Sequence, residues 1–346
     1  MADHGGRRQR AFIGSFTAAG GPGVVTAAVD ERDGALTLLG STDGVLDPSY
    51  LALSADGGTL YAVSETADGA VAAYRVKGET VELTGAPVRV GGSGPTHLSL
   101  FDGHVLTANY GSGSVSAVPV RADGRLAPAP SGILRHTGSG PHDRWQRGPH
   151  AHHVQPDPTG RWAVSVDLGT DSVRVCALAD GRLAVHREIA LRPGSGPRHL
   201  AFHPDGRHAY VVNELTPTVT VCRWDSGAGS LRPLAETPVL PHAPAGDAYP
   251  SGIVVDPGGR FVWIATRGED VLSVFEIQAD GDRLELLGTV PSGGHWPRAL
   301  AHSEGFLYAA NERSGNVTWF AVDPGTGRPR RAGAVRVAAA SCVVFG

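Results

Sequence analysis

Two sets of polar residues recur at matching places around short apolar runs, and between them they hold the groups that acid–base and anion chemistry requires. The first set stands just inside the start of a run: Ser49, Thr96, His152, Arg198, Ser251 and Arg298, with Tyr50, His97, His153 and His199 as next neighbours. The second stands at the end of the run that follows: Phe16, Glu65, Tyr110, Leu168, Glu214, Arg267 and Glu312, preceded by Ser15, Ser64, Asn109, Asp167, Asn213, Thr266 and Asn311. Histidine, glutamate and arginine gathered at one opening supply a proton relay and fixed positive charge, which suits general acid–base work on a substrate that carries or develops negative charge.

The elements that bring these residues together are copies of one unit. Gly196 to Val221, GPRHLAFHPDGRHAYVVNELTPTVTV, reads as a strand from Pro197, a turn at Pro204-Asp205-Gly206, a second strand to Val212, a polar break at Asn213-Glu214 and a third strand. The markers Ser49, Thr96, His152, Arg198, Ser251 and Arg298 are separated by 47, 56, 46, 53 and 47 residues. That period fits one four-stranded blade, and nothing between the copies keeps a helical apolar spacing. The first copy is incomplete: Phe12 to Gly40 carries three strands and lacks an entering one, which Ser341 to Phe345 supplies. The reading is an all-β, seven-bladed β-propeller of four-stranded antiparallel blades, its ring closed by the C-terminal strand joining the N-terminal blade. Residues 11–346 form one domain and residues 1–10 a disordered polar N-terminus.

In such a blade the chain enters along the innermost strand and returns on the second. The start of the first and the end of the second therefore meet on one face, beside the central channel. Two long polar insertions, Pro130 to Gly148 and Pro241 to Tyr249, rim the same face. Substrate-binding candidates at this opening are His150, Asp167, His199, Arg298, Glu65, Asn311 and Glu312. A plainer account is that any channel mouth is lined by polar strand ends and that the propeller binds a partner.

Composition narrows the classes. Gly 48, Pro 25 and 41% hydrophobic residues describe a turn-rich β protein with an ample core. A net charge of -4 without a basic block gives neither nucleic acid nor an anionic membrane a footprint. Lys77 is the only lysine and sits in an outer-strand position, which excludes Schiff-base chemistry. Cys176, Cys222 and Cys342, odd in number and without a CxxC, read as free thiols of a cytoplasmic protein. The polar N-terminus has no apolar core of a signal peptide, and a monomer is expected. Within His150 to His153, strand alternation lets at most His150 and His152 share one ion, with Asp167 as a third ligand. Lacking a Cys pair, an acidic calcium loop or HExxH, the chain is expected to use no metal and no cofactor.

The motifs PHAHHVQPDPTGRWAVSVDLGTDSV, GPRHLAFHPDGRHAYVVNE and YPSGIVVDPGGRFVWIATRG, with FIGSFT at Phe12 and SCVVF at Ser341, resemble those of the seven-bladed lactonase propellers. That family includes bacterial cycloisomerase-type 6-phosphogluconolactonases and fungal carboxymuconate cyclases. The resemblance implies a catalytic group of His152, Arg198, Glu214 and Arg267, with the choice among His150, His152 and His153 left open. It also implies metal-independent hydrolysis of a sugar lactone, 6-phosphogluconolactone foremost. Cyclisation of a carboxymuconate-type diacid and a non-catalytic small-molecule or protein-binding propeller stand as alternatives. A 6-phosphate would call on Arg298, Arg313, Arg144 or Arg147.

Overall fold

A computed structural model describes residues 9–346. Seven antiparallel sheets follow one another in chain order, and the first is completed by the last strand. In that first blade Ala340–Phe345 pairs with Arg10–Ser15, which continues to Val24–Val29 and Leu36–Thr42. The register sets Ala11 against Phe345 and Ile13 against Val343, and Arg10 and Gly346 exchange backbone hydrogen bonds of 2.8 and 2.9 Å. Ring closure by the C-terminal strand is thus as the repeat pattern predicts. The expected polar tail lies mostly outside the described residues; its last two positions, Gln9 and Arg10, are already built into the blade.

Blades two to seven begin at Leu51, Pro95, Ala151, Pro197, Tyr249 and Pro297. In the second blade the outermost strand is broken in two: Thr80–Leu83 and Val88–Arg89 both pair with Ala70–Lys77. Pro87 and Gly85 lie in the gap, where a missing N–H and a missing side chain interrupt pairing. One expectation needs correction. The segment from Pro130 is not all insertion, because Gly132–Arg135 is the outermost strand of the third blade, paired with Ser114–Pro119. Only two apolar residues in a row, Ile133 and Leu134, marked it in the sequence.

Alternation along each strand sends apolar residues to both sheet faces, so the core is divided among the contacts between neighbouring blades. Trp162, Trp224 and Leu200 fill the contact of blades four and five, Phe261, Trp263 and Phe320 that of six and seven. Tyr308 and Trp319 pack against Ile13 and Val25 where the last blade meets the first. Each such side chain contributes about 1.5–3 kcal/mol by leaving water. Polar residues gather around the axis at the starts of the inner strands, with Leu51, Leu98, Leu300 and Val344 among the residues further along it.

A polar latch supplements this packing. Four residues before Glu65, Glu214, Arg267 and Glu312 respectively, Tyr61, Tyr210, Trp263 and Tyr308 each donate to a backbone carbonyl in the outer hairpin of the next blade, at 2.8–3.2 Å. In blade four Trp162 does the same from two residues earlier on the same face, reaching Ser226. Phe12 and Leu106 hold the corresponding positions in blades one and three and carry no donor.

Candidate active site

Six of the seven inner strands carry an irregularity at their start. Pairing jumps from Pro197–Asn213 to His199–Val212, from Ala151–Asp167 to His153–Val166 and from Pro297–Asn311 to Ala299–Ala310. Arg198, His152 and Arg298 are the extra residues of these bulges, and Thr96 and Ser341 hold the same place in blades three and one. A bulge leaves one residue unpaired and re-aims its side chain. Apart from Ser49, the first set of polar residues therefore stands at bulges, and Ser341 holds the corresponding place in blade one.

The bulge also overturns the argument from strict alternation. His152 and His153 both approach His199, with ring centroids 5.3 and 4.7 Å away. They do so at two levels. His152 lies edge-on to Tyr110 at 5.5 Å and in the field of Arg198, Arg298 and Arg267. His153 packs on His97 at 4.0 Å, and with His97, His199 and Tyr50 it lines a cavity of about 380 Å³ along the inner strands. Of the three histidines open to choice, His152 is the one that joins the arginines.

At the upper level, Glu214 is the common partner of two buried guanidiniums. Its Oε2 stands 2.9 Å from Arg198 Nε and 2.7 Å from Arg267 Nη2. Arg198 Nη1 donates to the Ser251 carbonyl at 2.8 Å, and Arg267 Nε donates to the Tyr249 carbonyl at 3.2 Å. These backbone contacts fix the forks. The two ion pairs are close in distance but poorly aligned, so Arg198 Nε, Arg267 Nη2 and Glu214 Oε2 retain unspent hydrogen-bond capacity. His152 Nδ1 is likewise buried without a partner. These atoms are available to a substrate or to water.

Across the channel Arg298 lies between Glu65 Oε1 at 3.5 Å and Glu312 Oε2 at 3.2 Å, with its guanidinium 4.8 Å from the Phe16 ring. Ser49 donates to Glu65 Oε2.

Burial and charge set the protonation states. Burial raises the Glu214 carboxyl, but Arg267 and Arg198 together outweigh it, and the group ends below the ordinary carboxylate range. Glu65 goes the other way: burial prevails over Arg298 and the Ser49 hydrogen bond, and its pKa is raised. His152 falls well below the usual imidazole value, through burial first and then Arg198 and Arg298. Arg198 is itself pushed down by burial and by Arg267. At neutral pH the site holds an ionised Glu214 and a neutral His152.

Two sequence candidates do not reach the channel. Asp167 is wholly buried behind it: Oδ1 accepts from the His150 and Thr170 backbone N–H groups, and Oδ2 faces His136 Nδ1 at 2.6 Å and Arg174 Nη1 at 3.4 Å. It braces the loop into blade four. Asn311 bonds Thr318 in the neighbouring strand at 3.1 Å, as Asn109 bonds Ser116 and Asn213 bonds Thr220. These residues precede the exit position, and period two turns them away from it. His150 stacks on Tyr110 at 4.3 Å, with Nδ1 against the Tyr110 carbonyl, and so borders the mouth. His199 belongs to the layer beneath.

A separate group, His203, Asp205 and His208, places three ligand-type atoms within 4.8 Å of one another at the turn between the first two strands of blade five. His203 Nε2 meets the Gly259 carbonyl at 2.9 Å and His208 Nε2 meets Asp282 Oδ1 at 3.0 Å, so these residues tie blade five to blade six.

Sequence reasoning missed the aromatic rim. Tyr249 and Trp296 lie 6.1 Å apart, and the Arg267 guanidinium is 5.9 and 5.5 Å from their rings. Trp296 directly precedes the Pro297-Arg298 strand start, and that adjacency was the available signal.

Residues 10–345 match the profile of the family described as lactonase, 7-bladed beta-propeller. The 6-phosphogluconolactonase of Bacillus subtilis is 37% identical over 92% of each chain. Among solved structures, the periplasmic gluconolactonase of Pseudomonas aeruginosa superposes with a TM-score of 0.91 at 30% identity, covering 97% of this chain and 98% of that one. A protein from Lactobacillus plantarum gives 0.92 at 29% identity over 98% and 99%.

Proposed function

Because the chain belongs to the lactonase family of seven-bladed β-propellers, we propose that it hydrolyses a sugar lactone, 6-phosphogluconolactone foremost, at the upper level of its channel. The observation that carries the reading is the meeting of Arg198 and Arg267 on one oxygen of Glu214, beside a buried histidine with an unpartnered nitrogen.

The chemistry follows from the charges. Arg198 and Arg267 receive the lactone carbonyl oxygen and stabilise the oxyanion formed when water attacks. Neutral His152 has room for a proton and none to spare beyond its single N–H. It accepts the proton of the attacking water, and as a strongly acidic imidazolium it returns that proton to the ring oxygen as the C–O bond breaks. Glu214 keeps both guanidiniums charged and aimed. One proton is taken and the same one given back, so the scheme calls for no covalent intermediate and no metal.

The small-molecule substrate is the only partner this reading needs, and we take the protein as a monomer. Three unpaired, buried cysteines favour a cytoplasmic setting, although the Pseudomonas relative is named periplasmic. No helix among the described residues is long and apolar enough to cross a membrane.

The test compares turnover of freshly prepared 6-phosphogluconolactone and gluconolactone, corrected for spontaneous opening, in the native protein and in His152→Asn. His152 Nδ1 has no hydrogen-bond partner to lose, so this variant is expected to keep its fold. A loss of about a hundredfold or more in kcat supports the assignment. Full activity in a folded His152→Asn removes the histidine from the mechanism, and no turnover by the native protein removes the lactonase reading.

A further inference from the structure

The deep arginines are matched by carboxylates: Arg198 and Arg267 share Glu214, and Arg298 lies between Glu65 and Glu312. Three guanidiniums face three carboxylates, which leaves no surplus positive charge for a phosphate dianion. An uncharged lactone ring fits that balance. The charge a phosphate needs must come from elsewhere.

Arg144, in the loop before blade four, and Arg313, after the second strand of blade seven, are rim cations without a carboxylate partner among the described residues. Arg313 rests 3.3 Å from the centre of the Trp296 ring, and Arg267 lies 5.5 Å from the same ring, so the two guanidiniums are no further apart than those distances together. Tyr249 lies edge-on to Trp296 and within electrostatic reach of both Arg144 and Glu214. The other charged groups nearby are occupied: Asp247 accepts from the Tyr249 hydroxyl at 3.2 Å, and Asp270 is paired with His295.

Trp296 is held there under strain. Its φ is +66°, a left-handed conformation that a bulky residue seldom adopts, and its N–H is fixed by Asp270 Oδ1 at 2.7 Å. Strain of this kind persists where the surrounding structure imposes it, commonly at a ligand clamp.

We infer that Arg144 and Arg313, with the Tyr249–Trp296 pair that adjoins Arg267, form the subsite that recognises the phosphate of a phosphorylated lactone. The inference rests on the lactonase reading for its substrate. With the carbonyl on Arg198 and Arg267, the ring lies against Tyr249 and Trp296, and the exocyclic phosphate points outward to guanidinium forks suited to it. The aromatic pair accepts the ring's C–H face whether or not a phosphate is present, so the rim arginines determine the preference between the two.

The experiment measures kcat/KM for 6-phosphogluconolactone and for gluconolactone in the native protein, Arg144→Gln, Arg313→Gln and the double variant. Binding of the products 6-phosphogluconate and gluconate is followed by calorimetry on the same proteins. The ratio of the two kcat/KM values is expected to fall about ten- to a hundredfold in Arg313→Gln and further in the double variant, with 6-phosphogluconate binding weakened in step. An unchanged ratio, or a native protein with no preference for the phosphorylated lactone, overturns the subsite and leaves the lactonase reading standing. An equal fall in Arg147→Gln, whose Nε is engaged by the Asp143 carbonyl, also overturns it, since the effect would then be diffuse charge. Should the native protein open neither lactone, loss of 6-phosphogluconate binding in the double variant upholds the anion subsite while the lactonase reading falls.

Discussion

His152 and Glu214 differ in what they hold at neutral pH, and that difference has a signature. Both are pushed below their ordinary pKa values, so both are in their deprotonated, working forms from mildly acidic pH upward. The profile of kcat/KM should be flat from about pH 5 to 8 and fall only on further acidification, as first His152 gains a proton or Glu214 loses its charge. An inflection between pH 6 and 7 would show an ordinary imidazole and contradict the burial argument. Glu214 also carries structural weight. It is the carboxylate partner of two guanidiniums buried to 2% and 6% exposure, so Glu214→Gln should cost about 3–5 kcal/mol in denaturant unfolding besides lowering turnover. Linkage has the same sign: a depressed carboxyl stabilises above its unfolded pKa, and that contribution is lost as pH falls through the folded value. Asp167 presents the contrasting case of a residue whose removal acts through the fold alone. With half-exposed Glu188 as the one carboxylate left to buried Arg174, Asp167→Ala should destabilise by about 3–5 kcal/mol.

Along single strands, the sequence was readable wherever a period survived. Glu214, Arg267, Glu65 and Glu312 were found because each stands at or just past the end of a strand, at the same phase of the repeat. Asn311 and Asp167 were placed in the channel although they stand one residue earlier, where the pleat points the side chain into the blade instead. The bulges were invisible because an extra residue changes pairing without changing composition, and only they let His152 and His153 both face the axis. Trp296 and Tyr249 were missed for a related reason: they belong to loops or strand edges outside the repeat. The latches are also elements of the strand, and they give a graded test. Tyr210→Phe removes one hydrogen bond to the Gly281 carbonyl and should cost about 0.5–1.5 kcal/mol, while Phe12→Tyr tests whether a sixth latch can be added. Thermal unfolding of the two variants reads both outcomes.

Across the molecule, stability depends on the ring being closed. Deleting Ala340–Phe345 would expose the edge of Arg10–Ser15 and strip the cover from Ile13 and Phe12, whose neighbours include Val343 and Val344. The truncated protein should aggregate or self-associate on size exclusion, since an open apolar edge pairs with whatever strand it meets. The seven-fold layout and its closure were legible in the sequence because blade-length repetition leaves a count that one terminus cannot complete without the other. The same closure has a mechanical meaning. The strands that seal the first blade run antiparallel, so the start of Arg10–Ser15 and the end of Ala340–Phe345 lie side by side, Arg10 opposite Gly346. A pull on those ends loads the hydrogen bonds of the seam one after another, as in a zip, instead of all at once in shear. A ring held by seven packed contacts therefore has one low-force seam, and unfolding by traction begins there.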